Sequence, residues 1–336
     1  MLMTEPLLHK LFPEVLATLP FHPLGERPTP VRELTALSTR SPLWCKDESG
    51  FGWGGWSGNK IRKLEWILPD VLRRGSDTML TVGGLGTNWG LAAALYGRDL
   101  GLRTVLALID QPVDDHVRQQ LDRLHDSGAI IHRTHTKART IAMAPWLLLR
   151  HSRNGRLPYL LPAGGSSPIG VLGYVETALE LAEQVAAGAL PEPSHIVTAV
   201  GSGGTAAGLA LGLRLAGLRT RVVGVIVNDT LPLDARHIVQ LAEKGERLLR
   251  SRGAQLPRVG LEPGDITMVR DWLGDGYGVV TPEALAAQQL TAREGLDLEP
   301  VYTAKAIAGL LAMDARQRFG AGPVLFLNTY GPKDSA

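Results

Sequence analysis

The chain has 336 residues, 44% hydrophobic and 20% charged, which excludes a disordered polymer and allows either two domains or one large one. Its 35 basic and 33 acidic residues nearly cancel, so nothing favours a nucleic-acid partner, and the arginine-containing stretch 247–252 reads as a solvated helix face. The single cysteine, Cys45, excludes an intrachain disulfide and a cysteine-rich zinc site. Residues 1–19 lack the basic-then-apolar pattern of a leader, and no apolar run is long enough to span a bilayer, so a cytoplasmic location with no membrane partner is expected.

Residues 1–40 are interrupted by Pro13, Pro20, Pro23, Pro28 and Pro30, and read as an extended arm with a short helix over Glu14–Thr18. A strand follows at Leu43–Lys46, then a Gly/Trp-rich loop from Phe51 to Gly58. Lys60–Arg74 carries a helical apolar stripe through Ile61, Leu64, Ile67, Leu68, Val71 and Leu72, with a kink or break predicted at Pro69. Strands and helices then alternate: strand 78–82, helix 88–100, strand 103–109, helix 113–127, strand 129–132, strand 159–161 and helix 170–187. The pattern resumes with strand 195–200, helix 205–216, strand 221–227, helix 234–250, helices 282–294 and 305–319, and strand 324–328. Such alternation predicts parallel sheets with helices on both faces, and the Ala/Gly/Pro-rich link at 186–193 is a candidate domain crossing.

Two segments carry chemistry. In Ser57-Gly58-Asn59-Lys60-Ile61-Arg62-Lys63-Leu64-Glu65, a lysine follows a small-residue turn at the start of a helix. An amine held there in an apolar site has its charged form disfavoured, as bonding to an aldehyde requires. The competing reading is an exposed helix face decorated by Lys60 and Lys63. In Gly201-Ser202-Gly203-Gly204-Thr205, between an apolar strand and a helix, successive N–H groups and the helix dipole suit a phosphate dianion. That loop also fits the dinucleotide fingerprint Gly201-x-Gly203-x-x-Ala206, with Asp229 in place to bind a ribose, which keeps an NAD(P)-binding oxidoreductase as an alternative.

The turn Gly83-Gly84-Leu85-Gly86-Thr87-Asn88 offers N–H groups and two polar side chains to a carboxylate, or simply an N-cap from Thr87 or Asn88. Gly164-Gly165-Ser166-Ser167-Pro168 reads as a cap by Ser167 with proline at the first helical position. Tyr277, between Gly276 and Gly278, and Tyr302 are candidate proton-transfer groups. His132 and His135 face opposite ways on an extended segment and lack a third ligand, so no metal site is expected.

Together these segments resemble the D-cysteine desulfhydrase and 1-aminocyclopropane-1-carboxylate (ACC) deaminase family. The matches are Ser57 to Glu65, Gly83-Gly84-x-x-Thr87-Asn88, Gly164 to Gly170 with Leu172-Gly173-Tyr174, Gly201 to Thr205, Gly276-Tyr277-Gly278 and Pro300-Val301-Tyr302-Thr303, in the family's order. The resemblance implies an α/β protein of the two-domain, tryptophan-synthase-β-like type known as pyridoxal phosphate (PLP) fold type II. It implies a large PLP-binding domain at 1–74 and 186–336, a small domain at 75–185, and a homodimer.

It further implies Lys60 as the Schiff-base lysine, Gly201, Ser202, Gly203, Gly204 and Thr205 as the phosphate cup, and Lys63 assisting there. Asn88 would approach the ring oxygen of the cofactor, Thr87 and Trp89 would lie by the substrate carboxylate, and Tyr277 and Tyr302 would face the substrate. ACC deaminases carry a glutamate opposite the pyridine nitrogen where this chain has Thr303; Thr303 and Thr329 resemble the desulfhydrase side. The expected activity is therefore α,β-elimination from a small amino acid, giving a 2-oxo acid and ammonia, with ACC-type ring opening or a biosynthetic reaction on another small amino acid as alternatives. The chain departs from the family's usual serine at Thr87 and glutamine or histidine at Trp89, in the loop Phe51–Trp56, and at Tyr330-Gly331-Pro332. A bulky Trp89 across the pocket would leave a catalytically silent protein.

Overall fold

The alternation of strands and helices resolves into two parallel sheets. The structure, a computed structural model, describes residues 5–37 and 39–331, so Pro332 and the first four residues of the N-terminal arm lie outside it. In chain order the elements are α1 (Leu7–Leu11), β1 (Val31–Glu33), β2 (Leu43–Asp47), β3 (Ser57–Gly58), α2 (Asn59–Arg73), β4 (Thr78–Gly84), α3 (Asn88–Asp99) and β5 (Arg103–Ile109). Next come α4 (Asp115–Asp126), β6 (Ile130–His135), α5 (Lys137–Arg150), β7 (Tyr159–Leu160), α6 (Pro168–Ala186), β8 (His195–Val200) and α7 (Gly204–Leu215). The remainder are β9 (Arg221–Ile226), α8 (Ala235–Ser251), β10 (Ile266–Val269), α9 (Pro282–Thr291), α10 (Thr303–Ala315), β11 (Val324–Asn328) and β12 (Tyr330–Gly331).

The larger sheet has strand order β1-β2-β11-β8-β9-β10, parallel except for the antiparallel edge strand β1. Its central strand β11 is buried at every residue, as a parallel strand covered on both faces must be. The smaller sheet, β6-β5-β4-β7, is parallel throughout. Helix α6 packs against both α2 and α7, and the apolar faces of all three join the main core. Both the cup loop and the Thr87 turn lie where a parallel strand hands over to a helix, the place where such sheets open a crevice.

Three local expectations are corrected. Helix α2 runs unbroken from Asn59 to Arg73 through Pro69. Proline removes the N–H that would bond the Glu65 carbonyl, but that carbonyl accepts instead from the His22 N–H at 3.0 Å, so the lost bond is replaced from the N-terminal arm. Residues 137–150, for which no element is predicted from the sequence, form α5, with Thr136 capping its start by accepting from the Arg139 N–H. In the arm, the helical turn is at Leu7–Leu11, followed by a 3-10 turn at Pro13–Val15, rather than at Glu14–Thr18. The short strands β1, β3, β10 and β12 also escape sequence reading, because two to four residues carry no periodicity.

Among the described residues, no three His, Cys, Asp or Glu side chains converge, and no helix is long and apolar enough to cross a membrane. His132 and His135 separate as the strand geometry requires: the first bonds His151 at 2.8 Å and the second Asp110 at 2.9 Å.

Candidate active site

Every residue that the family resemblance assigned to catalysis, cofactor or substrate lines one cavity of about 390 Å³, whereas Asp229, the ribose candidate of the dinucleotide reading, does not. Lys60 is set at its floor by local backbone pairing. Strand β12 pairs antiparallel with β3, and the Asn59 N–H donates to the Thr329 carbonyl at 3.1 Å. Gly58 takes φ +89°, and a Cβ there would lie 2.7 Å from the Thr329 oxygen, so only glycine fits before the lysine helix. The Lys60 amine has no hydrogen-bond or ion-pair partner among the described residues, and burial lowers its pKa from 10.5 to about 8. A substantial neutral fraction near neutral pH is what bond formation to an aldehyde needs.

Lys63, one turn on, is 1% exposed; burial first, and the charge of Lys60 second, push its pKa well down. Its Nζ donates to the Gly164 carbonyl at 3.0 Å and stands by the cup. At the cup, Gly203 opens helix α7 with φ +87°, and a Cβ on Gly204 would lie 2.6 Å from Ser166 Oγ and 3.0 Å from Lys63 Nζ. The loop is held from outside: Asn228 Nδ2 donates to the Gly201 carbonyl at 2.9 Å, and Ser166 Oγ accepts from the Gly204 N–H at 2.9 Å while bonding Ser202 Oγ at 2.8 Å. Asn59 Nδ2 reaches Thr205 Oγ1 at 3.4 Å.

On the opposite wall, Thr87 caps α3, its Oγ1 accepting from the Gly90 N–H at 3.1 Å, so its hydroxyl proton remains free for a ligand oxygen. Asn88 Oδ1 accepts from Gln120 Nε2 at 2.7 Å, which leaves the Asn88 NH₂ as the group offered to the cavity. Trp89 does not cross the pocket. It is 2% exposed, its indole N–H donates to Thr81 Oγ1 at 2.8 Å, and its ring edge lies beneath Gly165.

At the third wall the Tyr277 and Tyr302 hydroxyls meet at 2.6 Å. Burial raises both phenol pKa values, that of Tyr302 well above 10, so both keep their protons. Thr303 Oγ1 accepts from the Glu299 N–H at 2.9 Å. Asp229, the residue a dinucleotide's ribose would need, is taken up by the Tyr277 N–H at 3.1 Å.

Sequence reading missed Ser166, Gln120, Asn228 and Glu299. Ser166 sits beside Ser167, which does cap α6 through the Gly170 N–H at 3.2 Å, and the two serines of one turn divide the labour. The other three act from elements distant in sequence, and only their amide or carboxyl chemistry marked them.

The glycine cradle, the buried lysine beside it and the unpartnered amine on the floor fit a phosphorylated aldehyde. The cup N–H groups and Lys63 would hold its phosphate, and Lys60 its aldehyde carbon. Fold and site thus define a PLP-dependent enzyme of fold type II. The chain belongs to the family described as "Pyridoxal-phosphate dependent enzyme", which matches residues 23–329. It is 35% identical over 315 residues to a D-cysteine desulfhydrase of Klebsiella pneumoniae (strain 342), covering 90% of this chain and 92% of that protein. It is 36% identical over 330 residues to a D-cysteine desulfhydrase of Serratia proteamaculans (strain 568), covering 94% and 95%.

Among solved structures, a crystal structure of an ACC deaminase homologue superposes with TM-score 0.77 at 30% identity, covering 94% of this chain and 93% of that one. The processed form of threonine deaminase isoform 2 from Solanum lycopersicum gives TM-score 0.65 at 16% identity, covering 100% and 89%, a likeness of fold alone. The protein is a PLP-dependent lyase acting by elimination or deamination on a small amino acid.

Proposed function

We propose that this enzyme removes the β-substituent of a small amino acid of D configuration, D-cysteine foremost, releasing hydrogen sulfide, a 2-oxo acid and ammonia. The observation that carries the choice is Thr303. Its hydroxyl is closed on the Glu299 backbone, accepting from the N–H at 2.9 Å and donating to the carbonyl at 3.3 Å, so a neutral hydroxyl, not a carboxylate, stands at the position facing the cofactor ring. Bound PLP supplies the electron sink for a carbanion at the substrate's Cα.

The chain's own residues do the rest. Thr87 and the Asn88 amide orient the substrate carboxylate. Lys60, which would hold the cofactor's aldehyde, is the group placed to take the Cα proton. The Cβ–S bond then breaks, sulfur leaves with the electron pair, and the protonated pair Tyr277–Tyr302 supplies its proton. The enamine left behind adds water and loses ammonia.

We place the enzyme in the cytoplasm as a homodimer. Its one cysteine is a buried free thiol, and α5 turns Ala138, Ile141, Ala142, Pro145, Trp146 and Leu149 outward as an exposed apolar stripe suited to a second copy. The test is direct: load the purified protein with PLP and follow ammonia and 2-oxo acid from D-cysteine, L-cysteine and ACC. Turnover of D-cysteine ahead of the others supports the reading; turnover of ACC alone, or of none of them, overturns it.

A further inference from the structure

Glu299 lines the same cavity, yet neither the proton transfers above nor the cofactor contacts use its carboxylate. It is 4% exposed and forms no salt bridge among the described residues. Its two oxygens are both spent on backbone: one accepts from the Val301 N–H at 2.8 Å, the other from the Tyr302 N–H at 2.8 Å. Its own main chain closes the same loop, since its N–H bonds Thr303 Oγ1 at 2.9 Å and its carbonyl accepts from the Ala304 N–H at 3.0 Å. A buried carboxylate so used fixes a backbone. The backbone fixed here carries Tyr302 and Thr303, one at the reacting end of the cavity and one facing the ring.

We propose that Glu299 is the positioning residue of this active site: its ionised carboxylate clamps the start of α10 and so sets the Tyr302 phenol and the Thr303 hydroxyl on the cavity wall. The inference rests on the reading of Tyr302 and Thr303 given above. A residue needed only for packing would not require a charge. Here, two N–H groups need two full acceptors, which a carboxylate offers and a protonated acid or an amide does not.

The charged and titratable groups around it are few. Lys305, on the same helix, favours the carboxylate; Asp114, at the start of α4, opposes it; the phenols of Tyr277 and Tyr302, kept protonated chiefly by burial, are pushed slightly further the same way by its charge. Lys305 does not neutralise it by contact, since its amine is directed to the Leu273 carbonyl at 2.6 Å. Burial raises the Glu299 pKa to about 7, against the pull of the two N–H groups, so the clamp engages as pH rises through neutrality.

The sign of the linked stability is opposite to that of the function. A carboxyl whose folded pKa is raised stabilises the fold most when protonated, and that contribution fades as pH rises from the unfolded value to about 7. The clamp therefore forms where it costs stability, as expected of a group retained for function.

The experiment compares the PLP-loaded wild type with E299Q and E299D, using D-cysteine, and also melts the cofactor-free proteins at pH 5.5 and pH 8. The expected result for E299Q is a fall in kcat of about tenfold or more with KM within about threefold. Its rate–pH profile should lose the limb near pH 7, and its melting temperature should gain on the wild type between pH 5.5 and 8. E299D keeps the charge and should recover part of kcat and retain a limb. Unchanged kcat and pH profile in E299Q overturn the proposal, as do equal losses in both variants with no change in pH profile or in the melting difference. If the wild type ignores D-cysteine, the functional reading fails on its own, and the melting comparison still decides the clamp: a melting difference that does not vary with pH overturns it.

Discussion

The nine residues from Ser57 to Glu65 place charges on two faces of α2, and the two faces have opposite fates. Arg62 and Glu65 turn inward and are saturated. Arg62 is fully buried, bonded to Glu48 at 2.8 Å and Glu180 at 2.8 Å, and stacked 3.9 Å over the Phe51 ring. Glu180 also takes Lys46 at 2.6 Å, and these cations hold its carboxyl far below the usual range; Glu65 is closed by Arg27 and the Leu24 N–H. Lys63 is as deeply buried and Lys60 is half-buried on the cavity floor, yet neither has a counter-ion among the described residues. A buried charge with partners belongs to the fold; a buried charge without them awaits a ligand.

The largest effect should come from breaking the ligand face outright. Lys60→Ala should remove the visible band of PLP-loaded protein and reduce turnover by roughly 10²–10⁴-fold, read by absorbance and by ammonia release. Retention of an unchanged band would remove Lys60 from the assignment.

The paired face should respond in stability instead. Arg62→Met strands Glu48 and Glu180 and should cost about 3–5 kcal/mol in urea unfolding of the cofactor-free protein. Lys63→Met should leave that stability unchanged or raised, because it deletes a buried amine that must give up its charge to fold, while weakening PLP binding about tenfold or more through loss of a donor to phosphate. If the two substitutions destabilise alike, the two faces do not differ in kind.

The pH dependence sharpens the same contrast. A lysine whose folded pKa is lowered is neutral in the fold while still charged in the unfolded chain, so its penalty is full below about 8 and fades as pH rises towards 10.5. Covalent uptake of PLP should accelerate as pH rises through about 8 and then level, and the wild type should gain stability over Lys60→Ala across that window. Stopped-flow uptake and melts at a series of pH values measure both. Smallest is Trp89→Phe, which loses the bond to Thr81 and should cost about 1 kcal/mol with KM for substrate within twofold. A large rise in KM would bring the indole back to the carboxylate site.

The sequence by itself determined the α/β class and most of the element order, and it singled out Lys60 and the glycine-rich cup as candidates. Each rests on a local signal: a period of apolar residues, a glycine where N–H groups must converge, a small residue before a helix. It could not decide how Pro69 is tolerated, because the Glu65 carbonyl is satisfied by His22, more than forty residues away in the chain. Nor could it divide Lys60 and Lys63 from Arg62 and Glu65, since all four read as charges on one helix. Their partners come from β2, α6 and the N-terminal arm, which only the packed chain brings together. Glu299 escaped for the same reason. Its carboxylate matters through what it bonds and how little water reaches it, and both are properties of the tertiary structure.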